Sequence, residues 1–440
     1  MRRDRWLIFL ALAVVARLIF LFAVAHPEAR SGAIELRFDT DEADYHNLAT
    51  NLATSGRYAL SPDGPATAIR PPGTVLPIAA LYRVFGPSPV LGIALVFLAS
   101  LAIVAVVGAL ASEIAPSSIV PQAAMLIAAL MPTLVFTAAG IWSDTLGVLF
   151  SLLALLLLLR ARRSEAPWRH ITLAAASLGV AYLNRPSVIL LIVLVTALLA
   201  VEHWPRRALR VAALFAAVSA VPIAAWGFWN QATLGRFFIG NTQSTVTLLQ
   251  ANNPVTAGKA LPALREANGY DLHAEAAAGH YRGSWIPLAY IARSNPWSER
   301  SLPEMEAETW LRKQATGFMR DDPAAFARLL TYKALRIFTA EPTAPSVLAE
   351  GPTKRRLKRL VTLAERWFVL LLGTFGSVLM WRQDRSATLY FLLFVAAGLA
   401  VVFVAYPNAR ILLPVSTTLI VPAAMAVVWL VDKARVVDSN

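Results

Sequence analysis

WLIFLALAVVARLIFLFAVA (residues 6–25) is followed, after a short link, by FDTDEADYHNLATNLATSGRY (residues 38–58). The first stretch is long and apolar enough to cross a bilayer as a helix, for which roughly 20 residues suffice. The second sets Asp39, Asp41, Glu42 and Asp44 beside the boundary so defined. Carboxylates at a helix start accept backbone N–H groups and offset the helix dipole, but capping needs one of them and leaves the others unexplained. Tyr45, Leu48, Ala49 and Leu52 recur at i, i+3, i+4 and i+7, which predicts a short amphipathic helix on the membrane surface, stopped at Gly56.

The whole chain shares the character of its first segment. Of its 440 residues 57% are hydrophobic and 15% charged, with a mean hydropathy of +0.57, a composition that suits a polytopic membrane protein and not a soluble one. Apolar runs centred near Val15, Leu101, Leu126, Leu153, Leu178, Val193, Phe215, Leu371, Val395 and Ala423 predict an all-α protein with about ten transmembrane helices. The first run ends AVAH, where Ala23 and Ala25 satisfy a small-x-small cleavage pattern. Its length favours an uncleaved first helix. The absence of cysteine excludes disulfides and thiolate metal sites.

Short basic loops give the orientation. RARRSEAPWRH (160–170), HWPRRALR (203–210), WRQDR (381–385) and VDKAR (431–435), with Arg2, Arg3 and Arg5, mark the cytoplasmic side; ASEIAPSS (111–118) is the neutral exception. Much of the net charge of +13 is this bias, so no nucleic-acid partner is required. The other loops then face outward: 26–89, 230–366, and the short turns IWSD (141–144), YLNRPS (182–187) and YPNAR (406–410). Asp144, Arg185 and Arg410 thereby gather on the same membrane face as the acidic stretch, and a shared outward-facing site is expected. Arg17, inside the first helix, must face protein or a water-filled pocket. One outward run, KRRLKRLVTLAERW (354–367), interleaves its basic residues with Leu357, Leu360, Val361 and Leu363. It reads as an interfacial helix that anchors on membrane lipids or steers a phosphate-bearing one.

The ordered set DEADYHNLATNLATSGRY, RPPGTVLPIAALYRVFG, WSDTLGVLFSLLALLLL, YLNRPS, LLQANNPVTAGKA, FMRDDPAAFARLLTYKALRIF and YPNARILLP, running from about residue 5 to 430, resembles the bacterial GT-C glycosyltransferases. The branch is that of protein O-mannosyltransferases and the aminoarabinose transferase of lipid A. The resemblance implies a GT-C fold in the cytoplasmic (inner) membrane, with the active site facing the periplasm. It also implies transfer of a sugar from a polyprenyl-monophosphate donor to a lipid, envelope-glycan or protein-hydroxyl acceptor. In that family a carboxylate opening the first outer loop, a few residues before a Tyr, is catalytic; Asp41 holds that place, four before Tyr45, with Asp39 and Glu42 close in register. Asp144 resembles the second acidic position, which orients the acceptor or joins a metal site, and Arg410 the outer Arg before a Leu-rich helix. Members with and without a divalent metal exist, so a metal is left open.

Chemistry supports the same residues. Transfer from a phosphate to a hydroxyl needs a base for the acceptor proton and positive charge for the departing phosphate. Asp41 is the candidate base, with Asp144 as second catalytic carboxylate; Arg70, Arg185 and Arg410 are the phosphate candidates, with Tyr45 and Glu42 beside them as further substrate-binding candidates. Single displacement with inversion follows, since no nucleophile is required. For each residue a structural role competes: capping for Asp41 and Asp144, snorkelling for Arg185, an ordinary structural contact for His46. The domain reading is a transmembrane module over 1–229, an extracytoplasmic loop domain over 230–366 and terminal helices over 367–440, with Asp322-Pro323 a helix start. Trp285, Trp297 and Trp310 serve either sugar stacking or packing. The rival functions are a lipid-linked glycan transporter or flippase, which would favour paired halves and helices broken at mid-membrane, and a glycan polymerase or ligase.

Overall fold

A computed structural model describes residues 4–26, 34, 41–116, 118–203, 205, 207–252, 304–339, 352–405 and 407–438. Asp39, Trp285, Trp297, Tyr406 and the side chains of Lys354 and Arg355 lie outside the described set. The helices run α1 (Asp4–Phe20, prolonged by a π-turn over Leu21–Ala25), α2 (Asp41–Ser55), α3 (Pro72–Phe85), α4 (Pro89–Ile114), α5 (Val120–Leu130) and α6 (Pro132–Thr137). They continue with α7 (Ser143–Ala161), α8 (Pro167–Asn184), α9 (Val188–Glu202), α10 (Ala208–Leu234), α11 (Thr242–Ala251), α12 (Glu304–Asp321) and α13 (Pro323–Arg336). The last are α14 (Pro352–Gln383), α15 (Arg385–Val404), α16 (Leu413–Thr418) and α17 (Ile420–Asp438).

All ten apolar centres fall on helices, and among the described residues six helices are long and apolar enough to cross a membrane: α1 with its extension, α4, α7, α10, α14 and α15. Prolines open many of the elements, where a missing N–H costs nothing. Asp322 caps α13 as expected, accepting the Ala325 N–H at 2.9 Å. The helix predicted after Asp41 is α2, and Gly56 ends it at φ 72°.

The bundle shares one apolar core, from Ala13 in α1 to Met425 in α17. Lipid is as apolar as leucine, so close packing rather than transfer from water holds such helices together. Gly376 in α14 shows how close: a Cβ there would lie 1.7 Å from the Pro422 carbonyl oxygen of α17. A second apolar cluster packs Tyr45 and Leu48 of α2 and Val75, Ile78 and Tyr82 of α3 beneath Trp226 of α10. Trp310 belongs to a third, with Leu249 and Ala315, which is its packing reading.

The two ends of the bundle differ as the loop charges predict. At one end Arg162 pairs with Asp384 at 2.9 Å and Arg160 with Glu113 at 2.9 Å, tying basic loops together. Asp144 stands at the start of α7 and Arg160 in its last turn, so the acidic stretch and the short charged turns meet at the opposite end. One expectation changes: the basic run 354–367 is no separate surface helix but the first half of the 32-residue α14. Nothing between Thr353 and Gln383 interrupts a helix, so the amphipathic start and the spanning part form one rod.

Gly376→Ala should lower the thermal midpoint of the purified protein in detergent, at or beyond the upper end of the roughly 1–3 kcal/mol that overpacking costs. Gly317→Ala in α12, whose added Cβ meets only the Asp321 carboxylate at 3.7 Å, should raise the midpoint, through a stability gain of about 0.5–1 kcal/mol from helix propensity.

Candidate active site

Pro71 and Pro72 force the chain before α3 to be extended, with Pro71 at φ −75°, ψ 159°, and this presents Arg70 to the first turn of α2. Arg70 Nη2 donates to Asp41 Oδ1 at 2.6 Å and to Asp44 Oδ2 at 2.8 Å, and Nε reaches Asp44 Oδ2 at 3.1 Å. The Arg70 carbonyl accepts the Tyr58 hydroxyl at 2.9 Å. From the far side Arg410 Nη2 donates to Asp41 Oδ2 at 2.9 Å and to Asp144 Oδ2 at 2.7 Å, with Nε on the same Asp144 oxygen at 3.0 Å. Arg185 pairs with Asp144 Oδ1. Residues from four loops, hundreds of positions apart, thus form one chain of alternating charge: Asp44, Arg70, Asp41, Arg410, Asp144, Arg185.

Aromatic rings support two of the cations. The Arg410 guanidinium lies 4.0 Å from the Trp142 ring centre and that of Arg70 5.5 Å from Tyr45, distances at which a ring face attracts a cation. Tyr45 donates its hydroxyl to Ser143 Oγ at 2.7 Å, which fastens α2 to the turn that carries Asp144. Glu42 fastens the same turn, its Oε1 accepting the Ile141 N–H at 3.1 Å. A Cβ at Gly140 would stand 1.8 Å from Glu42 Oε1 and would have to displace that carboxylate.

Six of the seven site candidates therefore meet directly or through Ser143. Glu42 points behind the network, into the turn. Asp144 lies in the first turn of α7, where its charge offsets the helix dipole, and it pairs with Arg410 and Arg185. His46 bonds the Tyr82 hydroxyl at 2.8 Å, and Arg17 faces protein, donating to Ser100 Oγ at 2.9 Å. Sequence reasoning passed over Trp142, Ser143 and the role of Asp44. Trp142 and Ser143 sit inside the WSD turn already singled out, and Asp44 is one helical turn from Asp41, so the spacing pointed to all three.

Burial alone raises the Asp41 carboxyl, but the guanidiniums of Arg70 and Arg410 outweigh it and hold the group well below the usual carboxylate range. Arg70 is the converse: burial opposes its charge, and Asp41, Tyr45 and Asp44 more than restore it. Burial pushes Glu42 up to about 7, against the opposing pull of His26 and the Ile141 N–H. The Asp41 side chain keeps 30% of its surface exposed, against 3% for Asp144, so of the two carboxylates that share Arg410 it is Asp41 that an incoming group can reach.

Beside the network lies a small, half-open cleft between α7, α9, α15 and α16. Val188, Leu191, Phe394, Val401 and Ile411 make it apolar, and Arg185 stands on its lining. Among the described residues no three His, Asp or Glu side chains are grouped to hold a metal ion. Asp41 and Asp144, the natural ligand pair, share Arg410 instead, so these residues as placed do not fit a metal.

Residues 69–229 match the dolichyl-phosphate-mannose-protein mannosyltransferase family. No curated protein matches the sequence. Among solved structures, the archaeal oligosaccharyltransferase AglB from Archaeoglobus fulgidus, in complex with an inhibitory peptide and a dolichol-phosphate, is similar at TM-score 0.54 and 16% identity, over 98% of this chain and 51% of that one. The apo form of the Archaeoglobus fulgidus enzyme gives TM-score 0.54 and 17% identity, over 98% and 51%. ArnT from Cupriavidus metallidurans bound to undecaprenyl phosphate reaches TM-score 0.43 at 17% identity, over 95% and 77%, which adds no weight. The chain spans about half the length of the oligosaccharyltransferase structures that it matches. It has the fold of the GT-C membrane glycosyltransferases, and its residues 69–229 are similar in sequence to the mannosyltransferase family.

Proposed function

We propose that the chain is a membrane glycosyltransferase that moves a sugar from a polyprenyl-monophosphate donor to an extracytoplasmic acceptor, with inversion. The observation that carries the reading is the convergence of Asp41, Asp144, Arg70, Arg185 and Arg410 at one end of the bundle, beside an apolar cleft with Arg185 on its lining. An isoprenoid tail suits the cleft, and guanidinium forks suit the phosphate. A transporter would place its substrate site at mid-membrane between paired halves; the ion-pair chain lies instead at one end of the bundle.

In this reading the acceptor oxygen attacks the anomeric carbon and its proton passes to an Asp41 oxygen. The bond from that carbon to the phosphate oxygen breaks, and the polyprenyl phosphate leaves held by arginine. Asp41, paired with two guanidiniums, is too acidic to take a proton well. A donor phosphate that draws Arg410 away would remove one of the two charges that depress it, so donor binding itself would prepare the base. Asp144 would meanwhile keep Arg185 and Trp142 in register. The acceptor is a lipid, an envelope glycan or a protein hydroxyl, read by the outer helices.

The test is transfer from polyprenyl-phosphate sugars by the protein in lipid nanodiscs, with envelope extract as acceptor. Asp41→Asn should lower kcat by about 100-fold or more, the range of a lost general base, with donor KM within about threefold. Arg410→Lys, which loses the bidentate fork, should weaken kcat/KM for the donor by about tenfold or more. Unchanged transfer in Asp41→Asn would reassign the base, and no transfer by the wild type from any such donor would favour the transporter.

Glu42 makes a separate prediction about pH. Folding holds its proton to about 7, against an ordinary value of 4.5, so between these values the folded chain binds the proton and the unfolded chain does not. Stability should therefore fall as pH rises through that window. Glu42→Gln should flatten the dependence in thermal melts taken between about pH 4.5 and 8.

A further inference from the structure

The helix that leads into the WSD turn is broken, and the break is held by two charges outside the ion-pair chain. α5 stops at Leu130, Met131 turns extended at φ −59°, ψ 114°, and Pro132 starts α6. In an unbroken helix the Thr133 N–H would bond the Ala129 carbonyl. Here the two halves of that rung go to different partners. The Ala129 carbonyl accepts Arg17 Nη1, from α1, at 3.0 Å. The Thr133 N–H donates to Glu365 Oε2, from α14, at 2.8 Å, and the Thr133 hydroxyl reaches the same oxygen at 2.8 Å.

The signs are complementary: a cation at the negative C-terminal end of α5 and an anion at the positive N-terminal end of α6. Arg17 also reaches α6 through Ser100, whose Oγ accepts Arg17 Nε at 2.9 Å and donates to the Leu134 carbonyl at 3.3 Å. Charges in such surroundings are expensive, and an unbroken apolar helix would need neither. What the break provides is aim. α6 has six residues, too few to hold a direction unaided. It ends at Thr137, and the residues just beyond deliver the Ile141 N–H to Glu42, the Trp142 ring to Arg410 and the Asp144 carboxylate to Arg410 and Arg185.

We propose that Arg17 and Glu365 are positioning residues of the transfer site, clamping the opened rung so that α6 aims Trp142 and Asp144 at Arg410. The kinetic part rests on the glycosyltransferase reading; the clamp itself can be tested without it.

The experiment uses the full chain in lipid nanodiscs and two readouts, transfer kinetics and hydrogen–deuterium exchange of residues 132–143. Glu365→Ala should lower kcat by about 10- to 100-fold, the scale of a misplaced catalytic group, with donor KM within about threefold, and should speed exchange in 132–143. Glu365→Gln, whose amide oxygen still accepts the Thr133 N–H, should recover kcat to within about fivefold of wild type. A folded Glu365→Ala protein with wild-type kcat and exchange overturns the proposal, as does a loss that lies in donor KM alone. Should Glu365→Ala fail to fold, Thr133→Val removes only the hydroxyl donor; slower turnover with faster exchange supports the clamp, and wild-type values in both overturn it. A wild type without transfer overturns the glycosyltransferase reading instead, and exchange alone then decides the clamp.

Discussion

One guanidinium organises this site. Arg410 is shared by Asp41, from α2, and Asp144, from the start of α7, so α2 and the helix bundle are fastened through a single side chain. Three carboxylates and three guanidiniums alternate along the chain from Asp44 to Arg185. Their charges cancel, which is how so many ionised groups are taken out of water at tolerable cost. A hydrophobic replacement would be as stable or more so in many proteins, so retaining such a chain beside an apolar cleft is an argument for chemistry rather than for folding.

The end of α15, which leads towards Arg410, is held by residues of α13 and the end of α11. Lys333 of α13 donates to Asn252 Oδ1 at 2.8 Å and to the Phe403 carbonyl at 2.9 Å, while Asn252 donates to the Val404 carbonyl at 2.8 Å. Burial lowers the Lys333 ammonium to about 7. Glu304 of α12 accepts the Ala68 N–H at 3.0 Å, two residues before Arg70. α12 and α13 thus hold the segments that lead to Arg70 and Arg410, which gives them a place beside the site even where their own side chains do not enter it.

Much of this was legible beforehand because it follows from local pattern. Apolar runs marked the membrane helices, basic loops sorted the two ends, and the recurrence of Tyr45, Leu48 and Ala49 marked α2. The ordered motifs brought Asp41, Asp144, Arg185 and Arg410 to one face. What sequence could not express was pairing across distance. Nothing in KRRLKRLVTLAERW says that Glu365 ends at Thr133, and nothing in the first helix says that Arg17 answers a carbonyl freed at Ala129. Trp142 beneath Arg410 was missed for the same reason, because a ring and a cation some 270 residues apart share no periodicity. The continuity of α14 was missed because a change from amphipathic to apolar composition resembles a boundary, although no residue there breaks a helix.

That continuity has a mechanical side. At 1.5 Å per residue α14 is about 48 Å long, against about 30 Å of hydrocarbon in an ordinary bilayer, and it is fastened at both levels: to Arg162 through the neighbouring Asp384 at one end, and to α6 through Glu365 nearer the other. A stiff rod meets a thinner or thicker bilayer by tilting. Tilt about the Asp384 end would move Glu365 relative to Thr133, so lipid thickness would bear on the geometry of the candidate site as through a lever arm.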